Sequence, residues 1–124
     1  MPEKRTVIDY INDIPAAATK AGVFVRDMTF EEFQEDEKTV FAVIRAFEII
    51  GEASTHIPEN FREEYNKIPW GRMVGMRNVL IHRYFGITKH VLWNTIKKRF
   101  PALKRQLREM LNKEMRKDEG HEEK

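Results

Sequence analysis

The spacing of apolar side chains in the last third of the chain leaves few folds open. Leu92, Ile96, Phe100, Leu103, Leu107 and Met110 recur at intervals of three and four residues, with Leu111 beside the last of them. That is the period at which one face of an α-helix repeats. No stretch sustains apolar/polar alternation with β-branched enrichment, so no sheet is expected. The chain reads as all-α, a bundle of four to five helices around one core.

Local signals divide it. A first helix is expected from about Glu3 to Lys20, presenting Val7, Ile8, Ile11 and Ile14, with Pro15 inside the pattern as a potential kink. Thr29 followed by Glu32 has the form of a capping box, announcing a short helix. A long helix then runs from about Asp36 to His56 and stops before Pro58. The segment "IPWGRMVGMRNVLIHRYF" forms a third long element ending near Gly86, and Thr88 caps the final helix, where Pro101 marks a bend or break. Residues 118–124, "DEGHEEK", carry no apolar side chain and read as a disordered tail after one domain at 1–117.

Composition narrows the function. A chain of 124 residues supports one domain with a real core. Cysteine is absent, which removes disulfides, thiolate metal sites and thiol nucleophiles. No long apolar run opens the chain, so neither a signal peptide nor a membrane span is read, and the cytoplasm is the expected compartment. The net charge of +2 conceals an asymmetry. Asp27 to Glu64 holds eleven acidic against three basic residues; Tyr65 to Lys117 holds fourteen basic against two acidic. The second half offers a surface for a polyanion and the first a surface for a basic partner, although solvated helix faces of unequal sign would give the same counts.

The stretch "GMRNVLIHRYFGI", residues 75–87, sets the functional question. On a helical wheel Arg77 and Tyr84 share one stripe, while Asn78 and His82 share another about 100 to 140° away. Met73, Val74, Leu80 and Ile81 flank the Arg77 stripe, so the guanidinium points into an apolar arc and needs partners. On the preceding long helix Arg45, Glu48 and Glu52 fall on one stripe beside Val40, Val43, Ile44, Phe47 and Ile50, and Gly51 among them allows close backbone approach. Two readings fit these residues alone. One is an internal network in which Arg77 pairs with Glu48 or Glu52 and His82 is satisfied by a carbonyl. The other is a site. The four histidines show no HExxH spacing, so no metal ligand set is expected, and neither GxSxG nor a glycine-rich phosphate loop is present.

"RNVLIHRY" has the R-x4-H-x-Y form and resembles the HEPN superfamily in its HepT-like branch. "FAVIRAFEIIGEAS", "IPWGRMVGMRNVLIHRYFGI" and "VLWNTIKKRFPALKRQL" resemble that branch in order and spacing, so the likeness covers about Thr6 to Leu111. It implies a dimeric HEPN-type bundle whose two motifs meet in a shared cleft. It also implies a metal-independent endoribonuclease toxin of a type VII-like toxin–antitoxin pair, without cofactor, partnered by a minimal nucleotidyltransferase antitoxin. Carried over by position, Arg77 and His82 are the catalytic pair, Asn78 a polar helper, and Tyr84 the residue that receives AMP. Arg83 stands where the branch often has glycine, adding charge beside the motif. The residue types suit the reaction: histidine moves protons near neutral pH, and arginine offers fixed charge to phosphorane oxygens. The alternative is a non-catalytic, nucleotide-binding regulatory module that keeps the fold and docks a nucleotidyltransferase.

Overall fold

A computed structural model describes the backbone of residues 4–83 and 89–122, and the side chains of 4–82 and 89–117. Among the described residues every regular element is helical. α1 (Val7–Phe24) begins at Thr6, whose hydroxyl accepts from the Asp9 N–H while the Asp9 carboxylate accepts from the Thr6 N–H. This reciprocal cap satisfies two orphan donors and places the start four residues later than expected. The helix continues past Lys20 to Phe24, and Pro15 lies within it. Burial of Ile11, Ile14, Ala17, Ala18 and Ala21 on one face holds the turn that proline leaves without a hydrogen bond.

The Thr29–Glu32 capping box opens α2 (Phe30–Glu35), as its sequence announces. α3 (Glu37–Thr55) follows, with the Asp36 carboxylate accepting from the Thr39 N–H. α3 is the central helix, packed on one side against α1 and on the other against α5 (Trp70–Arg83). Between them α4 (Glu59–Glu64) is a single short helix. Its Arg62 donates to the carbonyls of Ser54 and Ile57 at the end of α3. A cation there complements the exposed carbonyl ends of the helix.

The last element begins as α6 (Lys89–Asn94), widens into a π-helical turn at Thr95–Arg99, and continues as α7 (Phe100–Glu122). The break lies where Pro101 anticipates one. Pro101 has no N–H to donate, and the Phe100 N–H just before it reaches five residues back to the Thr95 carbonyl. Chain direction survives because the apolar stripe stays in register: Leu92, Ile96, Phe100, Leu103, Leu107 and Met110 are all buried. Phe47 of α3 meets Phe100 with ring centroids 5.2 Å apart, and Phe30 and Phe33 of α2 hold Trp93 of α6. The helix backbone extends to Glu122, into the segment whose sequence suggests a tail. No helix among the described residues is long and apolar enough to cross a membrane.

Candidate active site

The site is built on the crossing of α3 and α5. A Cβ placed on Gly51 would lie 2.1 Å from Arg77 Cβ and 2.7 Å from the Met73 carbonyl. Only hydrogen fits at this position, so the absence of a side chain lets α5 lie directly on α3. The aliphatic stem of Arg77 crosses over Gly51, and its guanidinium emerges at the edge of the contact.

There Glu52 and Asn78 catch it. Arg77 Nη2 donates to Glu52 Oε2 at 2.7 Å, and Nη1 donates to Asn78 Oδ1 at 2.8 Å. Arg77 Nε is buried without a hydrogen-bond partner among the described residues. The Arg77 side chain is 29% exposed and Glu52 53% exposed, so the pair fixes direction more than it adds stability. Glu52 also faces a histidine, since its Oε1 lies 3.5 Å from His56 Nε2. The His56 ring stacks on Tyr10 of α1 at 4.2 Å with an interplanar angle of 9°. Tyr10–His56–Glu52–Arg77 thus forms a continuous chain of contacts across three helical segments.

The expected network is therefore sorted by geometry. Glu52, not Glu48, is the carboxylate on Arg77; Glu48 is half-buried and Arg45 is exposed. Arg45 lines a groove between α1 and α3 together with Arg5, Asp13, Lys20 and Glu52. Around Arg77, Met73 and Leu80 are buried but Ile81 is 48% exposed, so the arginine lies at the rim of the apolar arc rather than inside it. His82 is exposed on the other side of α5, consistent with the offset of about 140° between positions five apart on a helix. Tyr84, Gly86 and Thr88 lie outside the described residues. His56 was legible as an i+4 neighbour of Glu52; Tyr10 carried no local signal. Among the described residues no group of three or more histidine, aspartate or glutamate side chains converges as a metal ligand set.

Fold and motif define the class: an all-α, HEPN-type bundle carrying R-x4-H on the helix that crosses its central one. A family model described as "Ribonuclease HepT-like" matches residues 14–110. The chain is 50% identical over 101 residues to "Probable ribonuclease HepT" of Thermococcus cleftensis, covering 82% of this chain and 92% of that protein. It is 43% identical over 104 residues to a "Putative RNase" of Methanocaldococcus jannaschii, covering 84% and 95% respectively. No solved structure matches it. The chain belongs to the HepT-like ribonuclease family, and its activity class is that of an endoribonuclease.

Proposed function

We propose that this protein cleaves RNA without a metal ion, as the homodimeric toxin of a toxin–antitoxin pair. The observation that carries this reading is the restraint on Arg77: a guanidinium held by Glu52 and Asn78 at the edge of a helix crossing, within one helical turn and a half of an exposed His82. In the proposed reaction His82 takes the proton of a ribose 2′-hydroxyl, and the 2′-oxygen attacks the adjacent phosphorus. The bond from phosphorus to the 5′-oxygen breaks, that oxygen takes up the proton that His82 removed from the 2′-hydroxyl, and a 2′,3′-cyclic phosphate remains. Arg77 stabilises the charge on the phosphorane oxygens, where fixed donors outperform reorienting water. Asn78 keeps the guanidinium directed and has its own amide hydrogens to offer a phosphate.

Arg77 and His82 project about 140° apart, so one copy does not aim both at one phosphate. Between them on α5 runs a stripe of Val74, Asn78 and Ile81, with Ile81 48% exposed. An uncharged stripe with two apolar side chains, flanked by Arg77 and His82, suits a two-fold contact that brings one copy's arginine toward the other's histidine. In this reading Tyr84, at the motif's final position, is where a minimal nucleotidyltransferase attaches AMP, adding a phosphate that competes with RNA for nearby cations.

The regulatory alternative has one observation in its favour. Glu52 already neutralises Arg77, and an arginine engaged by a carboxylate has less charge to offer a phosphate. Incubation of purified protein with RNA in excess chelator decides between them. Cleavage that persists in chelator and disappears in both Arg77→Ala and His82→Ala is expected. Chelator-sensitive cleavage would overturn the mechanism, and no cleavage of any RNA would favour the docking module.

A further inference from the structure

Beyond the R-x4-H motif, α5 forms one wall of a groove of about 910 Å³ whose other wall is the π-turn and the start of α7. Its floor is α3, through Phe47 and Ile50, because α5 packs on α3 while α7 packs on α1 and the two do not close over the gap. Met73, Met76, Val79 and Leu103 make the walls apolar. Lys67 and Arg72 stand on one rim, Lys98 and Arg99 on the other, and no aspartate or glutamate is among the described lining residues. None of these four cations takes part in an ion pair among the described residues.

We infer that this groove is the track for a single strand of RNA, the four cations meeting its phosphates and the apolar walls its bases and riboses. The inference rests on the ribonuclease reading and extends it to a substrate-binding surface. Charge complementarity selects the occupant. A groove with four unpaired cations and an apolar floor is built for a polyanion that also carries apolar faces. A second copy docking the same groove across a two-fold axis would set eight cations against each other.

The backbone supports the same assignment. π-turns are rare, and this one displays Lys97, Lys98 and Arg99 in succession. Lys97 is drawn over the Trp93 ring at 4.8 Å, leaving Lys98 and Arg99 to line the groove. The track leads toward the motif, since the exposed His82 stands three residues beyond groove-lining Val79 on the same helix. From Pro69 to Val79 the wall is about 15 Å long at ~1.5 Å per residue. That spans about four nucleotides of a stacked strand at ~3.4 Å each. A strand in the groove is thereby delivered to the histidine side of the motif.

The test uses the intact protein and a fluorescein-labelled 2′-methoxy oligonucleotide, which lacks the attacking hydroxyl and cannot be cut by this route. Its affinity is measured across a salt series for wild type, for Lys98→Ala/Arg99→Ala, and for Arg105→Ala/Arg108→Ala, a control that removes the same charge from exposed positions outside the groove. The groove variant is expected to bind about tenfold more weakly near 0.1 M salt and to lower the slope of log K against log salt by about 1.4, or ~0.7 per lost phosphate contact. The control keeps wild-type affinity within about twofold and leaves cleavage of ordinary RNA unchanged. Equal weakening by both variants, or by neither, would overturn the track. So would a change of oligomeric mass in the groove variant alone, which would make the groove a contact between copies. An acidic helical peptide that binds the groove while the oligonucleotide does not would likewise overturn it. Because the probe is uncleavable, failure of wild type to cut ordinary RNA would count against the ribonuclease mechanism and leave the binding result to be judged by itself.

Discussion

Gly51 and Arg77 occupy one point of the α3–α5 crossing: a methyl group on residue 51 would lie 2.1 Å from Arg77 Cβ. The glycine thereby sets both how close the helices come and where the arginine leaves their interface. Gly51→Ala is expected to push α5 outward, at about 1–3 kcal/mol for overpacking a close contact. Thermal unfolding should show a lower Tm, and RNA cleavage should fall further than the stability loss explains, because the guanidinium moves with the backbone.

Glu52 separates orientation from stability. Its pair with Arg77 is substantially exposed, so Glu52→Gln should cost under about 1 kcal/mol in denaturant unfolding. Loss of the charge that directs the guanidinium should nonetheless lower cleavage about tenfold, since small misplacements of a catalytic group are expensive. Unchanged or raised activity in this variant would mean that Glu52 restrains the site rather than arranging it.

The α4–α7 contact predicts a pH profile. Lys117 donates to Glu64 at 2.7 Å, Lys113 lies 3.3 Å from the same carboxylate, and the Tyr65 hydroxyl donates to Glu114. The lysine hydrogen bonds hold the Glu64 carboxyl below its ordinary value of 4.5. Its contribution is present above that value and lost as the pH falls through the lower folded one. The bond to Glu64 raises the Lys117 ammonium above 10.5, and burial, then Glu114, raises the Tyr65 phenol above 10.0. Those contributions are complete below the ordinary values and lost as the pH rises beyond them. Tm should therefore hold between about pH 5 and 10 and decline on both sides. Lys117→Met should flatten both flanks, and Tyr65→Phe only the alkaline one.

Ile81 tests the proposed dimer. It is 48% exposed on the stripe between Arg77 and His82, so a charge there leaves the core of one copy intact. Wild type is expected to scatter light as a dimer at micromolar concentration. Ile81→Glu should give a folded monomer with little or no cleavage. A wild-type monomer would remove the shared-cleft arrangement, and a fully active monomeric variant would place both groups in one copy.

Tyr84 tests the proposed silencing. Co-expression with a partner nucleotidyltransferase should add one AMP to the protein, mapped by peptide mass to Tyr84. Tyr84→Phe should keep cleavage and escape inhibition. Inhibition without an adduct, or equal inhibition of the variant, would mean that the partner acts by binding.

Much of this protein is written in local sequence. The Thr29–Glu32 cap, the long central helix and the apolar stripe from Leu92 to Met110 follow from hydrogen-bond chemistry and helical period, which neighbouring residues decide among themselves. The R-x4-H motif was legible through its resemblance to the HepT-like branch, and the need of Arg77 for a partner through its place beside an apolar arc. Tertiary packing decided the rest. Pro15 lies inside α1 because burial of the surrounding apolar residues outweighs one missing hydrogen bond, while Pro101 adjoins a π-turn. Periodicity placed Glu48 and Glu52 on one stripe without ranking them; the crossing point at Gly51 puts Arg77 beside Glu52. The stacking of Tyr10 on His56 and the cationic groove join residues far apart in the chain. Spacing along one helix carries no information about which part of another it will meet, so these contacts exist only once α1, α3, α5 and α7 have packed.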